Sequence, residues 1–412
     1  MITKRTFLTA NVLALSIVSL LADLSTEMIQ PILPLFLVGT LGASYSIVGL
    51  IEGSSDSLSS LVKVVSGWYS DKLSRRKPFV VAGYFPTAVL KPLLYFAQTP
   101  LHVLAIRIPE RIGKGLRGAP RDALIAESVD VKDLGKAFGF HRAFDTLGAV
   151  IGSFLGFVFL IVISGNSSDI YRIIFVMSAI PAAISVIIGQ VFVKEKRLPT
   201  IKTESNQEKQ LKSQKIGFLP GIRSFDKRLK FFILISSVFA LANFNIAFFV
   251  LKAKDVGISD VSILLLYTLF NVTYAAISYP FGTLSDKIGR DKVVMMGFVA
   301  FIATTIGFAF FSSSLVNIVI LFASLGMYMG IFDGAQKSYV SEIAKPEFKA
   351  TALGTIATLT GLITLPASLI AGIFWDRFGP SATFEFAAII ASIALMLFVI
   401  HKMTLHRSKI FS

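Results

Sequence analysis

The sequence predicts an all-α membrane protein with twelve transmembrane helices, arranged as two six-helix bundles related by a parallel repeat. Apolar runs of about 18 residues or more recur from end to end. Hydrophobic residues make up 54% of the 412-residue chain, and its mean hydropathy is +0.72. Charged residues gather in the gaps between these runs. One charged stretch, GWYSDKLSRRKP at 67–78, returns as GTLSDKIGRDKV at 282–293, at an offset of 215, so each half carries one copy.

The first helix is predicted over 8–38. Lys4 and Arg5 precede its apolar run, as they would in a signal peptide. No small-residue cleavage site follows, and the apolar character continues to about Val38. We therefore expect a retained first helix.

Eleven further helices are predicted from hydropathy. They cover 46–69, 78–97, 100–124, 136–163, 170–193, 230–251, 260–283, 292–311, 315–338, 349–375 and 380–402. The apolar segments are too long and too continuous for the strands of a membrane barrel, in which inward and outward residues alternate.

The gap between the sixth and seventh helices predicts the domain organisation. It is polar, rich in Lys and low in aromatic residues, which indicates a flexible linker. A membrane-surface amphipathic segment over 216–230 is the alternative. The predicted units are an N-terminal bundle at 1–193, a linker at 194–229 and a C-terminal bundle at 230–412.

The charge of the shorter gaps predicts the orientation. One set of gaps is basic, with residues Lys72, Arg75, Arg76, Lys77, Lys132, Lys136, Lys287, Arg290, Lys292, Lys345 and Lys349. The other set, including GTLGASY, AQTPL and SSSLVN, is nearly uncharged. The positive-inside rule places the basic gaps and both termini in the cytoplasm, in a multi-pass protein of the cytoplasmic (inner) membrane. Lys252 and Lys254 are exceptions to this pattern.

Composition and motifs disfavour several functions. The chain has no Cys, which excludes disulfides and thiol chemistry. The net charge of +15 is explained by membrane topology, so no nucleic-acid partner is predicted. No Walker motif, H-E-x-x-H or G-x-S-x-G occurs. We expect no enzyme activity, no metal and no cofactor; a membrane-embedded enzyme and a transporter-derived sensor are the weaker alternatives.

The repeat extends beyond the two charged loops. At the offset of 215, Gly115 corresponds to Gly330 and Glu127 to Glu342. Parallel repeats of six helices are a transporter architecture.

The two charged loops resemble the signature of the major facilitator superfamily, G-x-x-x-D-[RK]-x-G-R-[RK]. Residues 67–76 fit it with Ser74 in place of the second Gly, and residues 282–291 fit it with Asp291 in place of the last basic residue. The resemblance covers essentially the whole chain. It implies a gating role for the loops, and the corresponding residues are Gly67, Asp71, Arg75, Gly282, Asp286 and Arg290. The alternative is that these charges only set topology and anchor helix ends.

Charged residues within the predicted spans mark a polar cavity in the N-terminal half, because such residues are costly in a bilayer. Helix 1 carries Asp23 and Glu27, helix 2 carries Glu52 and Asp56, helix 4 carries Arg107 and Arg111, and helix 5 carries His141, Arg142 and Asp145. The cavity residues are predicted to be Asp23, Glu27, Asp56, Arg107, Arg111 and Asp145. Their alternative role is a set of permanent buried ion pairs. Lys63, Lys114, Arg117 and Arg121 are predicted to snorkel to the cytoplasmic surface.

Further motifs resemble those of the drug–proton antiporters of this superfamily. They are P-I-L-P at 31–34 and the helix-4 pattern R-x-x-E-R-x-G-x-G at 107–115, where the antiporters have R-x-x-Q-G-x-G-x-G. Helices 1 and 4 line the cavity in this superfamily, so the resemblance implies that Arg107 and Arg111 face Asp23 and Glu27. Helix 5 has a seam of small residues, Gly148, Gly152 and Gly156, which predicts close packing.

The C-terminal half offers an aromatic, weakly polar wall. Its predicted cavity residues are Asn243, Asn271, Tyr274, Asp333 and Gln336; interhelical hydrogen bonding is the alternative for the Tyr and Asn residues. A charged wall opposite an aromatic wall suits an amphiphilic organic solute.

The sequence thus predicts a secondary active transporter that works by alternating access. The favoured function is proton-coupled efflux of a small organic solute by a monomer in the lipid bilayer. The alternative is proton-coupled import of an organic anion or a metal-chelate compound.

Overall fold

Twelve helices make up the fold in the computed structural model, which describes residues 8–73, 75–130, 133–195, 225–345 and 348–410. Lys4, Arg5, Ser74 and most of the predicted linker lie outside these residues. The helices are α1 (Ala10–Thr40), α2 (Tyr45–Leu73), α3 (Lys77–Phe96), α4 (Pro100–Glu127), α5 (Leu134–Val162), α6 (Ser167–Phe192), α7 (Lys227–Asp255), α8 (Asp260–Ile288), α9 (Arg290–Phe310), α10 (Leu315–Ile343), α11 (Lys349–Phe378) and α12 (Pro380–Ile410). Within the described ranges there is no strand, which confirms the predicted all-α class.

Ten of these helices are long and apolar enough to cross a membrane by length and composition. The other two, α2 and α4, have 29 and 28 residues, or about 40 Å at 1.5 Å per residue. They have the length of a span, but their apolar character is interrupted by charged residues. Those residues form much of the site described below.

Two helices that the sequence predicts as continuous are broken. In α1 the α-helix ends at Ile29, resumes over Ile32–Leu35 after Pro31, and ends in a π-helical turn, Phe36–Thr40. In α7 the break falls between Lys227–Ala242 and Ala247–Asp255. Proline explains the break in α1, since it cannot donate a backbone hydrogen bond. Hydropathy cannot detect the break in α7.

The parallel repeat is visible in equivalent contacts of the two halves. Gly115 on α4 packs against α2, where an added Cβ would lie 2.5 Å from the carbonyl oxygen of Ser59. Gly330 on α10, its equivalent at the offset of 215, packs against α8, where a Cβ would lie 3.0 Å from the carbonyl oxygen of Tyr274. Tyr274 is the equivalent of Ser59 at the same offset, so the same glycine holds the same pair of helices together twice.

The small-residue seam on α5 packs against α1. A Cβ added at its three glycines would lie 2.4, 2.3 and 3.0 Å from the carbonyl oxygens of Leu20, Leu24 and Met28. Only glycine permits this approach, which brings the charged residues of α1 and α5 to one side of the N-terminal half.

The two ends of the molecule differ. The end that carries the α2–α3, α4–α5, α8–α9 and α10–α11 connections is called the basic end, and the other is called the distal end. Toward the distal end one apolar core joins both halves, with Met28–Leu37 from α1 and Ala247–Leu251 from α7 among its members. Toward the basic end the N-terminal half has a separate core, which includes Val12, Val18, Tyr84 and Leu124.

The α2–α11 contact shows the same asymmetry. Gly372 approaches the Tyr45 carbonyl at the distal end, and Gly361 approaches Ser60 about halfway along α2. The halves are therefore closed together at the distal end, and the space between them opens toward the basic end.

Candidate functional site

A cavity of about 500 Å³ lies between the two halves. It is lined by α1, α2, α4 and α5 on one side and by α7, α8, α10 and α11 on the other. Five of the six predicted N-terminal cavity residues line it, namely Asp23, Glu27, Asp56, Arg111 and Asp145. A cavity of this size and shape accommodates a small organic molecule.

The opposite wall is aromatic, as predicted. Its rings are Phe244, Phe249, Tyr267, Phe270, Tyr274 and Tyr328, and Asn243 and Asn271 lie among them. The side-chain Nδ2 of Asn271 is buried, and it has no hydrogen-bond partner among the described residues. This amide is available to a solute.

Two of the predicted C-terminal residues are not part of the lining, which corrects the prediction. Gln336 turns away, and its Nε2 donates to Ser236 Oγ at 3.3 Å. Asp333 pairs with Lys337 at 2.9 Å and, across the halves, with Arg142 at 3.8 Å. It lies in the part of α10 that leads to the basic end at Ile343, at the opening of the cavity. The sequence shows that the predicted tenth helix carries polar residues, but it does not show which neighbour each of them meets.

The break in α7 brings Asn245 into contact with the N-terminal half. Its Nδ2 donates to Asp56 Oδ2 of that half at 2.8 Å. Its backbone N–H donates to Ser368 Oγ of α11, within its own half, at 3.1 Å. Irregular backbone at membrane depth is tolerated where it lines a cavity. Gln30, at the break in α1, is the repeat equivalent of Asn245. The Nε2 of Gln30 and the Nδ2 of Asn245 both lie 3.4 Å from Glu52 Oε2.

Arg107 does not face the cavity, and the prediction that it lies opposite Asp23 and Glu27 is wrong. Its side chain is fully buried within the N-terminal half. The guanidinium contacts Glu110 Oε2 at 2.8 Å and Glu52 Oε1 at 3.5 Å. These two carboxylates hold Arg107 behind the cavity wall. The sequence identified Arg107 as a functional residue of α4, but it assigned Asp23 and Glu27 as its partners in place of Glu52 and Glu110.

Six charged residues form a connected network behind and along the N-terminal wall. Lys91 on α3 lies 3.8 Å from Glu110, and Arg111 lies 3.6 Å from Asp56. Together with Glu52 and Arg107, the network holds three cations and three carboxylates, so its formal charge is zero. Buried charges are tolerated only when they are paired in this way, and the alternative of permanent ion pairs therefore describes Arg107 well.

A second group of titratable residues lies on α1 and α5. Glu27 Oε2 accepts a hydrogen bond of 2.8 Å from Tyr267 Oη, which belongs to the other half. Asp145 is 8% exposed and its Oδ1 has no hydrogen-bond partner among the described residues. His141 Nε2 lies 3.7 Å from Asp145 Oδ2. Asp23 lines the same cavity as Asp145 and Lys114.

Sequence reasoning missed several residues of this site. Lys91, within an apolar run, is fully buried and donates to Ser25 Oγ at 2.8 Å; a lysine inside a predicted span is itself a signal of function. Lys114 lines the cavity and does not snorkel. The predicted snorkelling of Arg117 and Arg121 is also wrong. Arg117 stacks on the ring of Tyr84 at 4.1 Å, and Arg121 donates to Ser19 Oγ at 2.8 Å.

The first signature loop is organised by Arg76. Its guanidinium pairs with Asp71 at 2.5 Å and with Glu127 at 3.4 Å, and its backbone N–H donates to Glu195 at 2.7 Å. Arg75, which the signature predicts, is exposed. These contacts tie the ends of α2, α3, α4 and α6 together.

In the second loop the equivalent contacts are made by Arg290, which corresponds to Arg75, and not to Arg76, at the offset of 215. Arg290 lies 3.5 Å from Asp286 and 3.7 Å from Glu342, and Glu342 is the repeat equivalent of Glu127. A single residue, Gly289, with φ of 106°, separates α8 from α9, whereas three residues separate α2 from α3. This difference shifts the pairing from Arg75 to Arg76. In this conformation both loops connect helices within one half.

Comparison with known proteins gives consistent matches along the chain. A sequence model described as the Major Facilitator Superfamily matches residues 15–253 and 231–409. An uncharacterized MFS-type transporter of Methanocaldococcus jannaschii is 40% identical over 400 residues, or 95% of each chain. The multidrug resistance protein MdtH of Aeromonas hydrophila is 21% identical over 340 residues, or 82% of this chain and 81% of the relative. The crystal structure of a D-xylose–proton symporter has a TM-score of 0.75 at 17% identity, covering 95% of this chain and 97% of that chain, a likeness of fold alone.

Proposed function

The chain belongs to the major facilitator superfamily, and on that premise we propose that it couples the efflux of a small organic solute to the entry of protons. Membership makes it a multi-pass membrane protein and a secondary transporter of small solutes, not an enzyme. The direction, the coupling ion and the nature of the solute are the proposal.

One observation carries the proton coupling: the carboxylates of the cavity are held by donors from the opposite half. Tyr267 donates to Glu27, and Asn245 donates to Asp56. A carboxylate that gains or loses a hydrogen bond to its charged form changes its affinity for protons. Rocking of the halves changes these contacts, so it also changes proton binding. Asp23 and Asp145, on the same wall, are further candidates to carry the proton.

The cavity supports an amphiphilic solute. Its aromatic wall offers apolar area and stacking, and the free amide of Asn271 offers a hydrogen bond. The charged wall orients the polar end of the molecule. By the positive-inside rule the basic end is cytoplasmic, so the cavity loads from the cytoplasm. The similarity to a multidrug resistance protein and the antiporter-like motifs of α1 and α4 favour export from there.

Import of an organic anion or a metal chelate is the second candidate. Its support is the presence of Arg111, Lys114 and Arg142 along the same cavity, which would attract a negative group. The similarity of fold to a proton symporter is compatible with either direction.

We also propose a location, an oligomeric state and a domain organisation for the protein. We place the protein in the cytoplasmic membrane as a monomer, with both termini in the cytoplasm. Its functional units are the bundles at 1–193 and 230–412, joined by the linker at 194–229. The signature loops act as gates when the basic end closes, with Arg76 in the role first assigned to Arg75.

A thermal-shift screen tests this proposal directly. The purified protein is melted with a library of drugs, organic anions and siderophore-like chelators at about pH 6 and about pH 8, because a ligand of the folded state raises the melting temperature. We expect drug-like hits whose shift depends on pH in the wild type and not in Asp23→Asn. Asp169→Asn, an exposed carboxylate at the distal end, is the matched control. Hits confined to anions would support import, and shifts that ignore pH would contradict proton coupling.

A further inference from the structure

Glu52 occupies a position that the cavity carboxylates do not share. It is fully buried, one layer behind the cavity wall formed by Gln30, Asp56 and Arg111. It lies seven residues from the distal start of α2, or about 10 Å from that end. It is therefore nearer to the closed distal end than Asp56, which lines the cavity from the same helix.

Glu52 is also the least firmly held carboxylate of the network. Its Oε1 lies 3.5 Å from Arg107 Nη2 without forming a hydrogen bond, and Nε and Nη2 of Arg107 have no hydrogen-bond partner among the described residues. Among the described residues, its Oε2 accepts only the two long bonds, each 3.4 Å, from Gln30 and Asn245. Glu110, in contrast, makes a 2.8 Å bond to Arg107.

Helices α1, α4 and α7 place polar or charged groups against Glu52. The groups in contact with it are Arg107 from α4, Gln30 from α1 and Asn245 from α7. Asp56 lies one turn further along its own helix and pairs with Arg111, and Tyr267 of α8 donates to Glu27 of α1. Lys91 lies 3.8 Å from Glu110, which in turn pairs with Arg107. Helix α11, which packs along α2, has its only charged residues at its two ends, Lys349, Asp376 and Arg377. The formal charge of zero in the six-residue network therefore includes one negative charge on Glu52.

We propose that Glu52 takes up the transported proton from the distal side and passes it to Asp56, which releases it into the cavity. The proposal rests on the proton coupling proposed above. Asn245 joins the two carboxylates, since its Nδ2 lies 3.4 Å from Glu52 Oε2 and 2.8 Å from Asp56 Oδ2. Asp56 is four residues further along the same face of α2, its side chain is 34% exposed, and it lines the cavity.

The charge of the buried network gives the proposed order of these steps. While the distal end is closed, a neutral Glu52 would leave the buried network with one uncompensated positive charge. Burial of such a charge is costly, so the proposed uptake of the proton belongs to the state in which the distal end is open. When the distal end opens, water reaches Glu52 and the C-terminal half withdraws Asn245. A proton from that water then forms the Oε–H bond.

On closure the proton moves to Asp56. Before Asn245 returns between the two carboxylates, the water that has entered carries the proton. The Oε–H bond of Glu52 breaks as an O–H bond forms on water, and the water gives up a proton as an Oδ–H bond forms on Asp56, so the charge of the pair is unchanged. Asp56 then loses the proton to cavity water, which passes it to Asp23 on the same wall, and Asp23 releases it toward the basic end. The net result is one proton carried from the distal to the basic side for each cycle of opening and closing.

This order links proton binding to conformation, and the linkage can be measured without a solute. The chain has no Cys, so spin labels on Gln98→Cys and Ser313→Cys report one distance across the distal end. Both positions are exposed, one in the α3–α4 connection and the other in the α9–α10 connection. Pulsed electron paramagnetic resonance in lipid nanodiscs gives the populations of short and long distances as a function of pH.

We expect acid to favour the long, distally open distance in the wild type, by up to about tenfold per pH unit for one linked proton. Glu52→Gln cannot ionise, so it should favour the long distance at every pH. Glu52→Asp should restore the pH dependence, and the Asp169→Asn control should match the wild type.

The possible results distinguish a failure of proton coupling from a failure of the role proposed for Glu52. A wild-type distance that ignores pH would overturn the proton coupling itself. A wild type that responds to pH together with a Glu52→Gln variant that responds equally would overturn the role of Glu52 alone. If Glu52→Gln does not fold, Glu52→Asp decides the question, because a shorter side chain must move the midpoint of the pH response. An unchanged midpoint then refutes the role of Glu52.

Discussion

At the scale of the residue, the charged side chains within the membrane have two different environments. Asp23, Glu27 and Asp145 face the cavity, whereas Arg107 and Glu110 face each other behind its wall. The sequence predicted that these residues are functional because charges in a bilayer are costly. It could not predict which of them face solvent, because α4 has neighbours on several sides and periodicity does not identify them. Glu110, three residues from Arg107, was read as a replacement in a motif, but it is the partner of that arginine.

Asp23→Asn tests the cavity carboxylates. We expect the variant to lose uphill transport driven by a pH gradient and to retain exchange of solute for solute, because the amide has similar size but cannot carry a proton. Both activities are measured in proteoliposomes with a solute from the thermal-shift screen. Uphill transport at the wild-type rate would remove Asp23 from the coupling mechanism.

Arg107→Ala tests the buried network. Its removal leaves Glu52 and Glu110 buried without their main cation, which costs about 3–5 kcal/mol for a broken buried pair. We expect a large fall in the melting temperature of the detergent-solubilised protein. Lys114→Ala, which removes a cation that faces the cavity on the same helix, is the control and should melt close to the wild type. Equal melting of both variants would show that Arg107 does not stabilise the fold.

At the scale of the element, the signature loops join the ends of neighbouring helices within each half. The signature loops were located correctly from the sequence, since their charge pattern is local and repeats at a fixed offset. The arginine that pairs with Asp71 is Arg76, one residue after the predicted Arg75. Three residues separate α2 from α3, whereas one residue separates α8 from α9. A pattern match cannot account for this difference.

Arg76→Ala and Arg75→Ala form a matched pair that tests this correction. Arg76 contacts Asp71 and Glu127, whereas Arg75 is exposed. We expect Arg76→Ala to slow transport and lower the melting temperature, and Arg75→Ala to have little effect on either. The reverse order would restore the assignment made from the signature.

Asp376 forms a latch at the distal end. Its carboxylate accepts hydrogen bonds of 2.9 Å from the backbone N–H groups of Tyr45 and Ser46, and one of 2.6 Å from Ser46 Oγ. It thus caps the N-terminus of α2 from the other half. The ring of Tyr45 stacks on Trp375 at 4.6 Å. The surrounding sequence, GIFWDRFG at 372–379, has the G-x-x-x-D-R-x-G pattern of the signature loops, which is the signal that could have identified it.

Asp376→Ala should open this latch. A lost N-terminal cap costs about 0.5–2 kcal/mol, so the ratio of the long to the short distance between labels at positions 98 and 313 should rise by about twofold to thirtyfold. Arg377→Ala, at the exposed neighbouring position, is the control. A distance distribution that Asp376→Ala leaves unchanged would show that the cap does not hold the distal end closed.

At the scale of the whole molecule, the sequence predicted the twelve helices, the parallel repeat and the contrast between a charged and an aromatic wall. Each follows from patterns that repeat over many residues: hydropathy, the offset of 215 and the composition of each half. The breaks in α1 and α7, the sealing of Glu52 behind the cavity and the closed distal end did not follow. They depend on contacts such as Asn245 with Asp56, which join residues 189 positions apart.

The measurement that tests proton-coupled efflux most directly is proton flux in proteoliposomes that hold a pH-sensitive dye. A solute identified by the thermal-shift screen is added outside, with no pH gradient at the start. Exchange of solute for protons predicts that the lumen becomes alkaline as solute enters, and that Asp23→Asn abolishes this change. A lumen that becomes acidic would contradict efflux by exchange and indicate co-transport, and solute entry with no change in luminal pH would contradict proton coupling altogether.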